Sequence, residues 1–160
     1  MKATVELFKK ALNHEVESKA FFNKAAEITK NDESRMLFLE LSDMETDHIR
    51  HLIDNTKGTP WPKEFNPDTY VNELESSLEG KISVEATEVL ENGDMKAVLD
   101  LAIDMEKEAY KTYVELEKKA ASEEVRNYSR DLSQEEKKHL NSLASLRSSL
   151  DMDDEDRSAL

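Results

Sequence analysis

The sequence contains no cysteine, and this absence excludes several kinds of site at once. Disulfides, thiolate zinc sites, iron–sulfur clusters and cysteine-ligated iron centres all require the thiol. Long apolar runs are missing as well. The N-terminus has no stretch of signal-peptide type, and no run reaches the roughly 18 apolar residues of a membrane-spanning helix. We therefore expect a cytoplasmic protein without membrane partners.

Basic residues are in the minority, because 22 Lys and Arg face 36 Asp and Glu, for a formal net charge of −14. Such a surface repels phosphate backbones and anionic lipid, so we expect no binding to nucleic acid or membranes. The net charge does not by itself indicate a metal site, since most acidic proteins are simply well solvated. It becomes informative only where individual carboxylates are placed in the core.

Glycine and proline are scarce and confined to one part of the chain. All three glycines and all three prolines lie between positions 58 and 93. The flanking stretches 1–57 and 94–150 are rich in Ala, Leu, Glu and Lys, which favour helix. The predicted long helices, numbered 1 to 4, cover about residues 3–29, 32–56, 94–119 and 123–149.

Short polar breaks join helix 1 to helix 2 and helix 3 to helix 4, so each pair is predicted to form an antiparallel hairpin. The expected N-caps are Asn31 or Asp32, then Asp94 and Ser122. The segment 57–93 must cross between the hairpins, with a short helix near residues 68–79. We therefore predict an all-α four-helix bundle over residues 1–150, and an acidic, disordered tail at 151–160.

The two hairpins repeat each other when the sequence is shifted by 91 positions. The polar residues that coincide include three pairs on apolar helix faces: Glu15 with Glu106, Glu45 with Glu136, and His48 with His139. The halves are otherwise divergent, so the positions that survive the shift indicate a shared geometry.

These paired residues interrupt apolar stripes of helical period, as Glu15 does between Leu12 and Phe22. Burying an unpaired carboxylate costs several kcal/mol, and gathering four is worse because like charges repel. Two divalent cations would compensate them, and the Glu-x-x-His spacing puts a carboxylate and an imidazole on one helix face. This is the ligand set of di-metal helix bundles. The predicted metal ligands are Glu15, Glu45, His48, Glu106, Glu136 and His139.

Other polar residues near these positions lack counterparts in the repeat. His14 aligns with Met105 and His51 with Ser142, so we interpret both histidines as surface or supporting residues rather than ligands. Three roles stay open for Tyr113 and its neighbour Tyr110: they relay electrons, they hydrogen-bond to the site, or they simply pack in the core.

Four phrases of the sequence together carry a family resemblance. They are Ala11-Leu12-Asn13-His14-Glu15 with Ala20-Phe21-Phe22, Phe38-x-x-Leu41-x-x-x-Glu45-x-x-His48, Ala102-Ile103-Asp104-Met105-Glu106 with Tyr113, and Leu132-x-x-x-Glu136-x-x-His139. Over roughly residues 5–147 the sequence resembles rubrerythrin-like members of the ferritin-like superfamily. The resemblance implies a ferritin-like bundle with a long crossover between helices 2 and 3. It also implies that Glu45 and Glu136 bridge two metal ions, with the other four residues binding one ion each.

Members of this family reduce peroxide or oxidise ferrous iron with dioxygen, so the resemblance implies a non-haem di-iron oxidoreductase. Peroxidase rubrerythrins also carry a four-cysteine rubredoxin-type domain. These 160 residues lack it, so we expect a separate electron donor protein. Those peroxidases place an extra carboxylate where this sequence has Ala109. Bacterioferritins place a haem-binding Met where this sequence has Thr46, so we expect no haem.

Three functions remain open at this point. The first is an oxidoreductase acting on peroxide or dioxygen, and the second is a ferroxidase or iron-binding protein for storage or detoxification. The third is a non-enzymatic bundle whose metal is structural. Iron is favoured because mixed carboxylate and imidazole ligands suit it, although manganese or zinc could occupy the same ligands. A homodimer or a higher homo-oligomer is expected.

Overall fold

A computed structural model describes residues 2–59, 61–78 and 83–158, which form helices and contain no strand. The helices are α1 (Lys2–Ile28), α2 (Asp32–Asn55), α3 (Pro67–Leu78), α4 (Val84–Asn92), α5 (Met95–Lys119) and α6 (Glu123–Ser158). The prediction of an all-α chain is confirmed for these residues. Predicted helices 1 to 4 correspond to α1, α2, α5 and α6.

Local side chains determine where three of the long helices begin. Asn31, Asp94 and Ser122 each accept a hydrogen bond from the amide three residues further on, at 2.9–3.2 Å. Each bond satisfies one of the amides that the first helical turn leaves unpaired. The cap of α2 is therefore Asn31 and not Asp32, which is the first residue of the helix.

The connection between α2 and α5 contains two short helices, of which the sequence predicted only α3. The missed helix α4 is capped by Ser83 and buries Ala86 and Leu90. A helix of 9 residues is too short to be stable through helix propensity alone, so it depends on tertiary packing. Earlier in the connection, Trp61 packs on Phe8 of α1 with ring centroids 4.9 Å apart, which anchors the crossover to the bundle.

The acidic C-terminal segment is helical through Ser158, so the expectation of a disordered tail at 151–160 is wrong for residues 151–158. Asp151 pairs with Lys96 of α5 at 3.1 Å and with Arg147 one turn earlier at 2.8 Å. Neither Gly nor Pro occurs between 151 and 158, so nothing in the backbone ends the helix there. The last two residues, 159 and 160, lie outside the described part of the chain.

The apolar core consists of two separate clusters. Cluster I includes Phe8, Leu12, Leu52, Tyr113, Leu116 and Val125. Cluster II includes Phe22, Phe38, Leu41, Leu99, Ala102 and Leu143. Each long helix contributes to both clusters, and the predicted metal ligands lie where the helices pass from one cluster to the other. A polar layer therefore divides the core.

None of the described helices combines the length and the apolar composition needed to span a lipid bilayer.

Candidate metal centre

The structure brings all six predicted ligands together in the polar layer, and none is more than 2% exposed. They form two overlapping groups, each able to place four ligand atoms within 4.8 Å of one another. Site A consists of Glu15, Glu45, His48 and Glu136. Site B consists of Glu45, Glu106, Glu136 and His139. Burial this complete is unusual for carboxylates and needs a compensating partner.

Glu45 and Glu136 belong to both sites because their two carboxylate oxygens face different histidines. Oε1 of Glu136 lies 3.0 Å from Nδ1 of His48, and its Oε2 lies 3.4 Å from Nδ1 of His139. Oε1 of Glu45 lies 3.3 Å from Nδ1 of His139, and its Oε2 lies 3.6 Å from Nδ1 of His48. A carboxylate that bridges two cations needs this division of its oxygens.

Glu15 and Glu106 each belong to one site. Oε2 of Glu15 lies 3.3 Å from Nδ1 of His48, and Oε2 of Glu106 lies 3.4 Å from Nδ1 of His139. The two imidazole rings are stacked, with centroids 5.2 Å apart and an interplanar angle of 13°. Both histidines present the same nitrogen, Nδ1, to the carboxylates of the four ligand glutamates.

Several of these buried atoms are not satisfied by one another. Within the described part of the chain, hydrogen bonds are lacking for Oε1 of Glu45, both oxygens of Glu106 and Glu136, and both nitrogens of His139. Leaving a buried polar group unsatisfied costs about 1–3 kcal/mol, and more if it is charged. Carboxylate and imidazole lone pairs that converge without hydrogen bonds suit a pair of divalent cations. The residues therefore fit a di-metal centre.

The clustered carboxylates shift the pKa values of the site. Burial lowers the pKa of His48, but its hydrogen bond to Glu135 and the adjacent carboxylates of Glu136 and Glu15 outweigh burial and raise the pKa to about 12. In His139 the neighbouring carboxylates likewise outweigh burial and raise the pKa to about 9. Burial, followed by the charges of nearby glutamates, raises the pKa of Glu136 well above its usual range. Protons therefore compete with cations for these atoms.

Two further side chains contact the ligands. Oε2 of Glu135 lies 2.5 Å from Nε2 of His48, so the carboxylate accepts a hydrogen bond from the imidazole. The Tyr113 hydroxyl donates to Oε1 of Glu15. Burial, and next the charge of Glu15, raises the pKa of Tyr113, which keeps the phenol protonated as a donor.

Glu135 was not predicted from the sequence, and the role of Tyr113 was undecided. The available signal was position, because Glu135 directly precedes Glu136 in the second Glu-x-x-His motif. The repeat hid that signal, since the residue preceding Glu45 is Met44.

The remaining histidines lie outside both sites. His51 is exposed on α2, and His14 is half-buried on α1, where burial lowers its pKa. Neither belongs to a group of residues that could hold an ion in the described part of the chain.

The histidines give a direct test of register. We expect His48→Ala to weaken metal binding by more than about 100-fold, because losing even a supporting partner of a ligand costs about 10–100-fold. His51→Ala, one turn further along the same helix, should leave the affinity nearly unchanged because its side chain is exposed. Isothermal titration of both variants with Zn²⁺ measures this. Equal losses in the two variants would show that the wrong face of α2 has been assigned.

In a comparison with protein-family models, residues 6–147 match the model named Rubrerythrin. That range contains both sites together with Glu135 and Tyr113. Searches of curated proteins and of solved structures gave no match.

Proposed function

The chain belongs to the rubrerythrin family, a ferritin-like di-iron family, and from this premise we propose that it is a non-haem di-iron oxidoreductase that reduces peroxide or activates dioxygen. The observation that carries the proposal is the pair of overlapping sites, A and B, whose buried atoms converge with few hydrogen bonds. In this proposal Glu45 and Glu136 would contribute ligand atoms to both sites. Glu15 and His48 complete site A, and Glu106 and His139 complete site B.

When bound, an iron pair would supply redox chemistry in the core of the protein. None of the six ligand side chains could provide that chemistry alone. The six ligand side chains would hold the ions away from bulk water, because clusters I and II close the polar layer on both sides. Tyr113 keeps the Glu15 carboxylate in place through its hydrogen bond. Reduction of peroxide to water consumes two electrons and two protons, and we propose that a separate donor protein delivers the electrons.

We propose that the four long helices have ferritin-like topology, ordered up, down, down and up, with α3 and α4 in the crossover. The order in which the helices meet the two clusters supports this. From its N-terminus, α1 passes from Phe8 of cluster I to Phe22 of cluster II, and α6 also starts in cluster I. The helices α2 and α5 start in cluster II and end in cluster I. The bundle would then occupy residues 1–150, with α6 continuing beyond it.

A second candidate function is oxidation of ferrous iron as the substrate. It is favoured by Ala109, which stands where peroxidase members carry a further carboxylate and is 2% exposed. A buried methyl group there cannot supply an additional ligand or accept a proton. Storage of the product would require a cage-like assembly, which the mass of the particle in solution would show.

The test is anaerobic titration of metal-free protein with Fe²⁺, followed by peroxide or dioxygen. We expect two ions per chain, about 3.5–4 Å apart if carboxylates bridge them. Faster oxidation by peroxide supports the peroxidase, and faster oxidation by dioxygen supports the ferroxidase. Two bound ions that react with neither oxidant would indicate a structural metal. A single ion held by other side chains would overturn the assignment.

A further inference from the structure

Sites A and B correspond under the 91-residue repeat, but the hydrogen bonds behind their ligands do not. Both residues that belong to site A alone are supported. Nε2 of His48 hydrogen-bonds to Glu135 at 2.5 Å, and Oε1 of Glu15 accepts from the Tyr113 hydroxyl. In each case the supported atom differs from the one that faces the ligand cluster.

The residues that belong to site B alone have no such support. Nε2 of His139 and both oxygens of Glu106 lack a hydrogen bond within the described residues. The repeat explains the difference, since Met44 stands in the place of Glu135 and Phe22 in the place of Tyr113. A thioether is at best a weak acceptor, and a phenyl ring has no hydroxyl to donate.

Side-chain rearrangement cannot easily supply the hydrogen bonds that the site B ligands lack. Phe22 is completely buried and stacks on Phe38 with ring centroids 6.2 Å apart, so it is held in cluster II. His139 is only 2% exposed, which leaves its outer nitrogen little access to bulk water. The asymmetry is therefore built into the packed core.

Partners of this kind alter metal affinity without touching the ion. A carboxylate on the outer nitrogen of a histidine fixes the ring and its tautomer and makes the other nitrogen a stronger donor. A hydrogen bond to the free oxygen of a carboxylate likewise restricts its rotation before binding. Loss of such a partner typically weakens metal binding by about 10–100-fold.

We propose that the two sites are inequivalent and fill in order, site A before site B, with Glu135 and Tyr113 as the positioning residues that set this order. The inference rests on the proposed function in needing two metal sites. It goes further by ranking them and by naming the residues responsible. Zn²⁺ is a suitable probe because it is diamagnetic and accepts carboxylate and imidazole ligands.

The experiment follows the imidazole ¹⁵N resonances of the full chain during titration of the metal-free protein with Zn²⁺. All four histidines report separately, and His14 and His51 serve as internal controls. We expect the His48 resonances to change during the first equivalent and those of His139 during the second. Simultaneous changes, or His139 changing first, would overturn the proposed order. Zinc that alters neither resonance would contradict the di-metal function itself.

Variants show whether the two positioning residues cause the order. Glu135→Gln and Tyr113→Phe should each weaken the first binding step by about 10–100-fold and reduce the separation of the two steps. Asp131→Asn, an exposed change one turn earlier on α6, is the matched control and should change nothing. If Glu135→Gln and Tyr113→Phe both keep the wild-type order and affinity, the proposal is wrong.

Moving the acceptor gives the strictest comparison. The double variant Met44→Glu with Glu135→Met transfers the carboxylate from the site A histidine to the repeat position behind His139. A residue that matters only for folding would leave the order of filling unchanged after such an exchange. We expect the order to invert, and retention of site A as the first to fill would contradict the role given to Glu135.

Discussion

Chelation of the bound metal is expected to lower the melting temperature by about 8–16 °C for each ion held at about 1,000 times its dissociation constant. A ligand at that excess contributes about 4.1 kcal/mol to the folded state, and about 1 kcal/mol shifts the melting temperature of a chain this size by about 2–4 °C. Metal binds the folded state because the six ligands converge only there. Thermal melts with graded free metal measure the effect, and a melting temperature that ignores metal concentration would contradict a di-metal core.

The same melts distinguish a metal centre from a salt-bridge network. Glu136→Gln should weaken metal binding, yet in chelator it should be at least as stable as the wild type. The pKa of Glu136 is raised in the folded protein. Its contribution to stability is therefore largest at low pH and is lost as the pH rises through the folded-state pKa. The amide cannot ionise and avoids that loss at neutral pH.

The control for this comparison is Glu40→Gln, an exposed change that should alter neither metal binding nor stability. A network of structural ion pairs predicts the reverse for Glu136→Gln, since the change would take one buried carboxylate partner from both His48 and His139. A variant that melts clearly below the wild type in chelator would therefore count against the metal reading of this glutamate.

Loss of a shared glutamate is expected to release both ions, whereas loss of an unshared one should release mainly one. Glu45 faces both histidines, at 3.3 Å from Nδ1 of His139 and 3.6 Å from Nδ1 of His48. Removing it takes a ligand from each site and the negative charge that separates the two cations. Glu106 faces only His139, so Glu106→Ala leaves the unshared ligands of site A intact.

Elemental analysis after desalting measures this difference directly. Glu45→Ala should fall from two ions per chain towards none, and Glu106→Ala towards one, with Glu40→Ala on the same helix as Glu45 as the control. Retention of one tightly bound ion in Glu45→Ala, together with loss of both in Glu106→Ala, would reverse the assignment of shared and unshared ligands.

The sequence predicted the convergence of the six ligands because two independent patterns agreed. Helical period placed each one on an apolar stripe, and the repeat paired it with an equivalent residue in the other hairpin. Caps such as Asn31 and Asp94 were predictable for a similar reason, since the chemistry of a helix N-terminus is local.

The remaining features depend on tertiary contacts that no local pattern encodes. Helix α4 is short and exists through the packing of Ala86 and Leu90. The last turns of α6 follow pairs that Asp151 makes with α5 and with its own helix. Glu135 was not predicted because its counterpart in the repeat is Met44, so the repeat does not mark it as a site residue. An internal repeat identifies ligands that occur in both halves, but it does not identify a supporting residue that occurs in only one half.

The division of the core by a polar layer also affects how quickly metal can be exchanged. Both apolar clusters, and both sites, draw residues from the two hairpins, so no ion lies within one hairpin alone. Ligands that are at most 2% exposed give an ion no direct path to solvent. Release is therefore expected to require a local opening of the bundle, whose free-energy cost is at most that of global unfolding. The rate at which bound metal exchanges for an added isotope should therefore report the rate at which the bundle opens.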